Sequence, residues 1–202
     1  MPISKHLGLL MLSASLLTGC SSQGKDEALA NEGQTTRVIQ EGVPGGVGTQ
    51  VEEIKAVVSS INYATSSVTL EDAQGHQSSF TASPEMINFP QLKVGDTVNA
   101  TVVLEQMVYL REPGEPSADG GAGVIATAPA GTKPGMLIAD SVEVTALVKG
   151  IDTVLQTATL EFADGTRKTV KVRPDVQLKT EHLNRQVVIR LSSALIIRAQ
   201  AQ

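Results

Sequence analysis

A chain of 202 residues with a net charge of −5 has room for one or two small domains and lacks the basic excess of a phosphate-backbone binder. Two Tyr, three Phe and no Trp leave any core to Val, Ile, Leu and Ala. A single cysteine excludes an internal disulfide framework.

The chain opens with Lys5 and His6, then the apolar run Leu7 to Leu17. A short basic stretch before eleven apolar or small residues has the order of a secretory signal, and the run is too short to span a bilayer. Small residues follow it and lead to Cys20. Leu17-Thr18-Gly19-Cys20 resembles the lipobox of bacterial lipoproteins at all four positions. The resemblance implies a signal peptide over residues 1–19, cleaved after Gly19, and acylation (palmitate-type chains) of Cys20. Ser21 rather than Asp after the cysteine implies the outer membrane, with the chain facing the periplasm. Two or three acyl chains, at about 0.8 kcal/mol per buried CH₂, hold a protein stably where one does not.

Residues 20–49 are polar and Gly-rich without a sustained apolar period, and read as the acylated cysteine followed by a flexible tether. Beyond it the sequence repeats. Residues 51–85 align without gaps on residues 141–175. Glu53, Ala56, Val58, Ile61, Leu70, Gly75 and Pro84 recur as Glu143, Ala146, Val148, Ile151, Leu160, Gly165 and Pro174. After a one-residue gap, residues 98–104 align on residues 187–193. Such a duplication predicts two copies of one supersecondary unit.

Each copy reads as short strands. Ile54, Ala56 and Val58 alternate with Lys55, Val57 and Ser59, the period of a half-buried strand. Val68 to Leu70 and Gln77 to Ala82 flank Gln74-Gly75, and Ala158 to Leu160 and Arg167 to Val172 flank Asp164-Gly165. Both turns place Gly where a positive φ is needed. A short helical turn is predicted within residues 83–96, before strands at Thr97 to Leu104 and Gln106 to Arg111. Their counterparts are Gln186 to Leu191 and Ala194 to Ala199. The expected fold is therefore all-β: two tandem five-stranded barrels of OB or SH3-like type, over residues 50–112 and 140–202. A Pro/Gly/Ala-rich spacer over residues 113–139 joins them, with Gly123 to Ala126 apolar enough to dock as an extra strand.

Chemistry-bearing residues are sparse. After residue 19 the only histidines are His76, in a predicted hairpin tip, and His182, in a polar stretch; both are expected in solvent. No G-x-S-x-G elbow surrounds a serine, and neighbouring carboxylates such as Glu71 and Asp72 point to opposite faces of a strand. The first unit loosely resembles small periplasmic copper-chaperone barrels, which implies a site of His and Met ligands; His76, Met86 and Met107 are the weak candidates here, without the family's Met pair and Trp. Nearly the whole mature chain resembles a family of uncharacterised proteobacterial secreted proteins and lipoproteins, through VVSSIN, SSVTLEDAQG, INFPQLKVGDTV, the GAGVIATAPAGTKPG spacer, TALVKGID and ATLEFADG. That likeness brings no activity with it. The second unit has HLNRQ where the first has the Gly95-Asp96 turn, so its closing hairpin is expected to be looser. The reading is a non-enzymatic binding or envelope-interaction module held to the membrane by its lipid. An envelope protein is its expected partner class, with no cofactor, no resident metal and no nucleic acid; the alternative is a periplasmic copper-type metal-binding protein.

Overall fold

The computed structural model describes residues 28–112, 115–116 and 119–201. The described residues are all-β, an open antiparallel sheet of ten strands. In chain order these are β1 (Asn31–Val38), β2 (Gly45–Asn62), β3 (Ser67–Glu71), β4 (Gln77–Thr81), β5 (Thr97–Leu110), β6 (Gly120–Thr127), β7 (Gly135–Asp152), β8 (Thr157–Phe162), β9 (Arg167–Lys171) and β10 (Gln186–Gln200). The sheet runs β4-β3-β2-β5-β10-β7-β8-β9, with β1 added beside β2 and β6 beside β7. Single 3₁₀ turns at Phe89–Gln91 and Thr180–His182 precede β5 and β10, the first falling inside the stretch expected to hold a helical turn.

The duplication is visible in the ladders. Both β2 and β7 are 18 residues long and shift register once, between Val58 and Ser60 and between Val148 and Gly150. The bulge bends each strand, so its first part pairs with β1 or β6 and its end with β3 or β8. Asn62 and Asp152 each accept two backbone N–H groups of the following turn. Gly75 and Gly165, the predicted hairpin glycines, have φ of +85° and +82°. The turn that lacks Gly-Asp keeps its geometry all the same. Asn184 takes φ +61° where Gly95 has +92°, and its N–H reaches Val148 O as that of Gly95 reaches Val58 O. Asparagine tolerates the left-handed region better than most residues, which is why the expected loosening does not follow.

Three boundaries differ from expectation. Residues 31–38, assigned to a tether, form β1, and β2 begins at Gly45 rather than near residue 50. All eight β1 residues are exposed, so the strand is held by its backbone ladder to Val47–Ile54 and leaves no apolar period to read. In the expected spacer, β6 extends the docked segment to Gly120–Thr127, and β7 starts at Gly135. The strand pairs expected at the end of each unit are single strands. Both β5 and β10 run straight through, because they pair with each other from Thr97↔Gln200 to Leu110↔Val187 instead of folding back.

That seam interlocks the units. Residues directly opposite in a ladder share a face, and positions an even number apart along a strand return to it. Ala56, Val98 and Ala199 are in register at one end of β5, and Ala146, Val187 and Leu110 at the other. The same face therefore carries two cores. The first gathers Ala56, Val58, Leu70, Phe89, Leu92 and Val98, and is completed by Ala199 from β10. The second gathers Ala146, Val148 and Leu160, packed by Leu110 from β5. Hairpin tips cross as well. Arg173 of the second unit donates to the carbonyls of Gln40, Val43 and Gly45, and Asp175 accepts from Gly42 N at 3.0 Å. Reciprocally, Asn88 of the first unit donates to Ala128 O and Pro129 O, and Lys133 pairs with Asp96 at 2.5 Å.

Candidate functional site: an apolar crevice in the second unit

The two cores are unequal. Phe89 and Leu92 close the first, at 5% and 4% exposure. Tyr63 meets Phe89 edge-on, ring centroids 6.1 Å apart, and its hydroxyl donates to Leu92 O at 2.7 Å. Thr153 aligns with Tyr63, and the second 3₁₀ turn begins at Thr180 where the first begins at Phe89, so neither ring has a counterpart. The segment from Arg173 to His182 arches over its sheet with Val176 fully buried and Leu178 half-buried.

Beneath that arch is a crevice of about 350 Å³. Leu110, Val148, Leu160, Val170, Val187 and Ile189 form its sheet side. Pro44 and Gly45, from the crossing hairpin of the first unit, also line it, so the cavity is built by both repeats. Gly45 is required there: with φ +104°, any side chain would collide with the Val108 carbonyl. The polar residues on the wall are few. Arg173 is committed to Asp175 and the three hairpin carbonyls. Lys171 has no ion-pair partner among the described residues, and no carboxylate lines the crevice. His182 Nδ1 accepts the Lys179 N–H at 3.2 Å, which leaves the neutral ring with its proton on Nε2. His182, expected in solvent, is thus half-buried on the crevice wall. Nothing in its polar sequence context signalled this.

Other concavities are less suited to hold a ligand. A wide furrow of about 970 Å³ runs beside Ala30–Glu32, where the chain enters the fold. Charged side chains, Glu32, Glu53, Lys55, Glu71 and Asp72, line it. One polar cluster was not foreseen. Glu143 receives Arg111 Nη2 at 2.5 Å on one oxygen and Arg190 Nη2 at 2.6 Å on the other. Arg111 also donates to Gln186 Oε1 at 2.9 Å. With both oxygens paired and the Glu143 and Arg111 side chains 8% and 4% exposed, this locks the residue that follows β5 to β7 and β10. Its members lie far apart in sequence, and no spacing announces them.

The remaining expected residues fall as follows. Leu17, Thr18, Gly19 and Cys20 lie outside the described residues. His76 stands in the β3–β4 turn with Nδ1 2.9 Å from Asp72 Oδ2. Burial pushes the Asp72 carboxyl up, but hydrogen bonds from Ala30 N–H, the His76 ring and the backbone N–H groups of His76 and Gln74 outweigh it and hold it well below the usual carboxylate range. Met86 packs against the first core, and Met107 sits mid-β5 opposite Arg190 and Val47. The three weak metal candidates thus occupy three separate elements. Among the described residues no group of three or more His, Cys, Asp or Glu is placed to hold a metal ion.

Compared with protein-family models, with curated proteins and with solved structures, the chain finds no match.

Proposed function

We propose that the protein is an outer-membrane lipoprotein, anchored through acylated Cys20 and facing the periplasm, whose folded part is a non-enzymatic binding module. In this reading each unit is a small OB/SH3-like barrel opened along one side, where β5 and β10 leave to pair with each other. The lipobox at Leu17 to Cys20 supports the anchor. The observation that carries the binding role is the unequal pair of cores. One repeat is plugged by Phe89 and Leu92, whereas the same region of the other is an apolar crevice completed by the partner repeat's hairpin. Duplication leaves a spare copy that is free to trade packing for a ligand site.

The fold also constrains how such an anchor would present the crevice. Leu29 packs on the first core and Ala30 N donates to Asp72. The link from Cys20 to Leu29 is then residues 21–28, a reach of about 28 Å at full extension. The first unit would lie close to the bilayer. The crevice, lined by Gln106 to Leu110 of β5, would stand about 33 Å along the sheet from Val98 in the first core.

Two measurements test the reading. Inhibiting signal peptidase II should accumulate the uncleaved form, and Cys20→Ser should release the protein from membranes; a soluble, unacylated wild type contradicts the anchor. Anilinonaphthalene sulfonate, an anionic amphiphile whose rings fluoresce in apolar sites, should bind the folded chain at one site, and should lose that site in Leu178→Phe. Absence of saturable probe binding contradicts the binding role.

A further inference from the structure

We infer that the outer edge of β6 is a self-association surface, on which two copies of the chain pair β6 to β6, antiparallel, about a two-fold axis perpendicular to the sheet. Among the described residues β6 pairs only with β7, so its other edge presents a row of backbone N–H and C=O groups. Sheet edges are normally guarded against such pairing by charge or by brevity. In this fold β9 carries Arg167, Lys168 and Lys171, and β4 is five residues long. By contrast β6 has eight residues with no charged side chain and no Pro. It exposes Val124 at 53% and Ile125 at 55%.

The duplication shows that this edge is unguarded in one repeat only. Carrying the alignment of residue 51 with residue 141 back along the strand makes Gly48 and Thr49 of β2 the counterparts of Ile138 and Ala139 of β7. Opposite the β7 pair stand Ile125 and Val124 of β6. Opposite the β2 pair stand Arg37 and Thr36 of β1, which also bears Glu32. Charge guards the edge in the first repeat, and two β-branched apolar side chains take its place in the second.

A second copy is the occupant that the strand's own pattern fits. A two-fold perpendicular to the sheet keeps each face continuous with its own kind. Ile125 lies on the core face, in the row Ile125–Ile138–Leu195–Val102. Val124 lies on the other, in the row Val124–Ala139–Ala194–Val103. With Val124 opposite its own image, Ile125 falls opposite Gly123 and Ala122 opposite Ala126. No like charges meet, and each isoleucine gains the space over a glycine. The charged β1 edges are then outermost, so growth stops at two. One eight-residue strand pair is a small interface, which makes the dimer a weak one in solution.

The test is sedimentation equilibrium of the full mature chain carrying Cys20→Ser, which removes acyl chains as a cause of association. A reversible monomer–dimer equilibrium should appear as the protein is raised to about 1 mM. Val124→Glu and Val124→Lys, at an exposed position, should each weaken it about fivefold by setting like charges opposite one another. An equimolar mixture of the two variants should dimerise at least as tightly as the wild type. Thr36→Glu on β1 and Leu104→Lys on the exposed part of the core face should leave the equilibrium unchanged. A chain that stays monomeric throughout overturns the inference. Loss of the dimer in Leu104→Lys but not in Val124→Glu overturns it in favour of face-to-face packing. Growth beyond a dimer, blocked by Thr36→Glu, overturns it in favour of head-to-tail pairing of β6 with β1. Failure of the mixture to restore association overturns the antiparallel self-pairing. None of these outcomes depends on the crevice, whose binding role is read separately by the apolar-site probe.

Discussion

Leu104 stands directly opposite Ser193 in the β5–β10 ladder, and the two occupy the same place in the two repeats. The pairs from Val98 to Leu110 are mirrored about this one: Val98 faces Ala199 as Val187 faces Leu110. The chain is thus joined to itself as a two-fold dimer would be, by an isologous strand pair.

Because each core borrows from the other unit's last strand, the two should unfold together. Phe89→Ala in the first core is expected to cost about 3–5 kcal/mol, and Val148→Ala in the second somewhat less. Both should lower the midpoint of one urea transition, followed in parallel by circular dichroism and by the fluorescence of Tyr63 and Tyr109. Two separable transitions, each moved by one substitution, would show independent units.

The Arg111–Glu143 pair is buried, and removing one partner leaves the other charge without compensation. Arg111→Ala is expected to destabilise by about 3–5 kcal/mol. Arg190→Ala, removing a side chain that is 41% exposed, should cost clearly less. Replacing Arg111 and Glu143 together by Met and Leu should recover most of the loss, as read from urea midpoints.

Acid should undo the crossed hairpins. The Arg173 guanidinium and the Gly42 N–H hold the Asp175 carboxyl well below the usual range. For Asp96, burial pushes upward, but Lys133 and the Lys93 N–H bring the net shift down. Groups with lowered folded pKa stabilise fully above their unfolded value near 4, and lose that contribution as pH falls from there through the folded value. Hydrogen exchange at Gly42 N–H should therefore accelerate as the pH is lowered below about 4, after correction for intrinsic rates. In Asp175→Asn the exchange should already be fast at neutral pH, with little further change on acidification.

Two backbone positions test the turn geometry. Asn184→Ala, forcing a side chain with no local hydrogen-bonding capacity into φ +61°, should cost about 1–2 kcal/mol, and Asn184→Gly should be near neutral. Gly45→Ala should be worse than either, because its Cβ meets the Val108 carbonyl. Thermal midpoints of the three variants give the order directly.

Much of this fold was legible wherever side chains carry the pairing. Ala56 and Val58 alternate with exposed Lys55 and Val57, and Gly75 and Gly165 mark the hairpins, so the repeat and its local strands could be read directly. Where backbone alone pairs, as along Asn31–Val38, all residues face solvent and composition resembles a linker. Continuity of β5 past Glu105 was hidden for a different reason. It depends on a partner strand some ninety residues away, which no local period encodes. The crevice is legible only by comparison, as the absence of a Tyr63–Phe89 pair from the second repeat. His182 and Arg111 acquire their roles from contacts that sequence spacing does not show.

The most direct test of the unequal cores is methyl-resolved NMR of the mature chain during titration with anilinonaphthalene sulfonate. The account predicts saturable shifts at Leu110, Leu160, Val176, Leu178, Val187 and Ile189 around the crevice, with Val58, Leu70 and Leu92 of the plugged core unmoved. Shifts centred on the first core, or equal shifts in both, would contradict it.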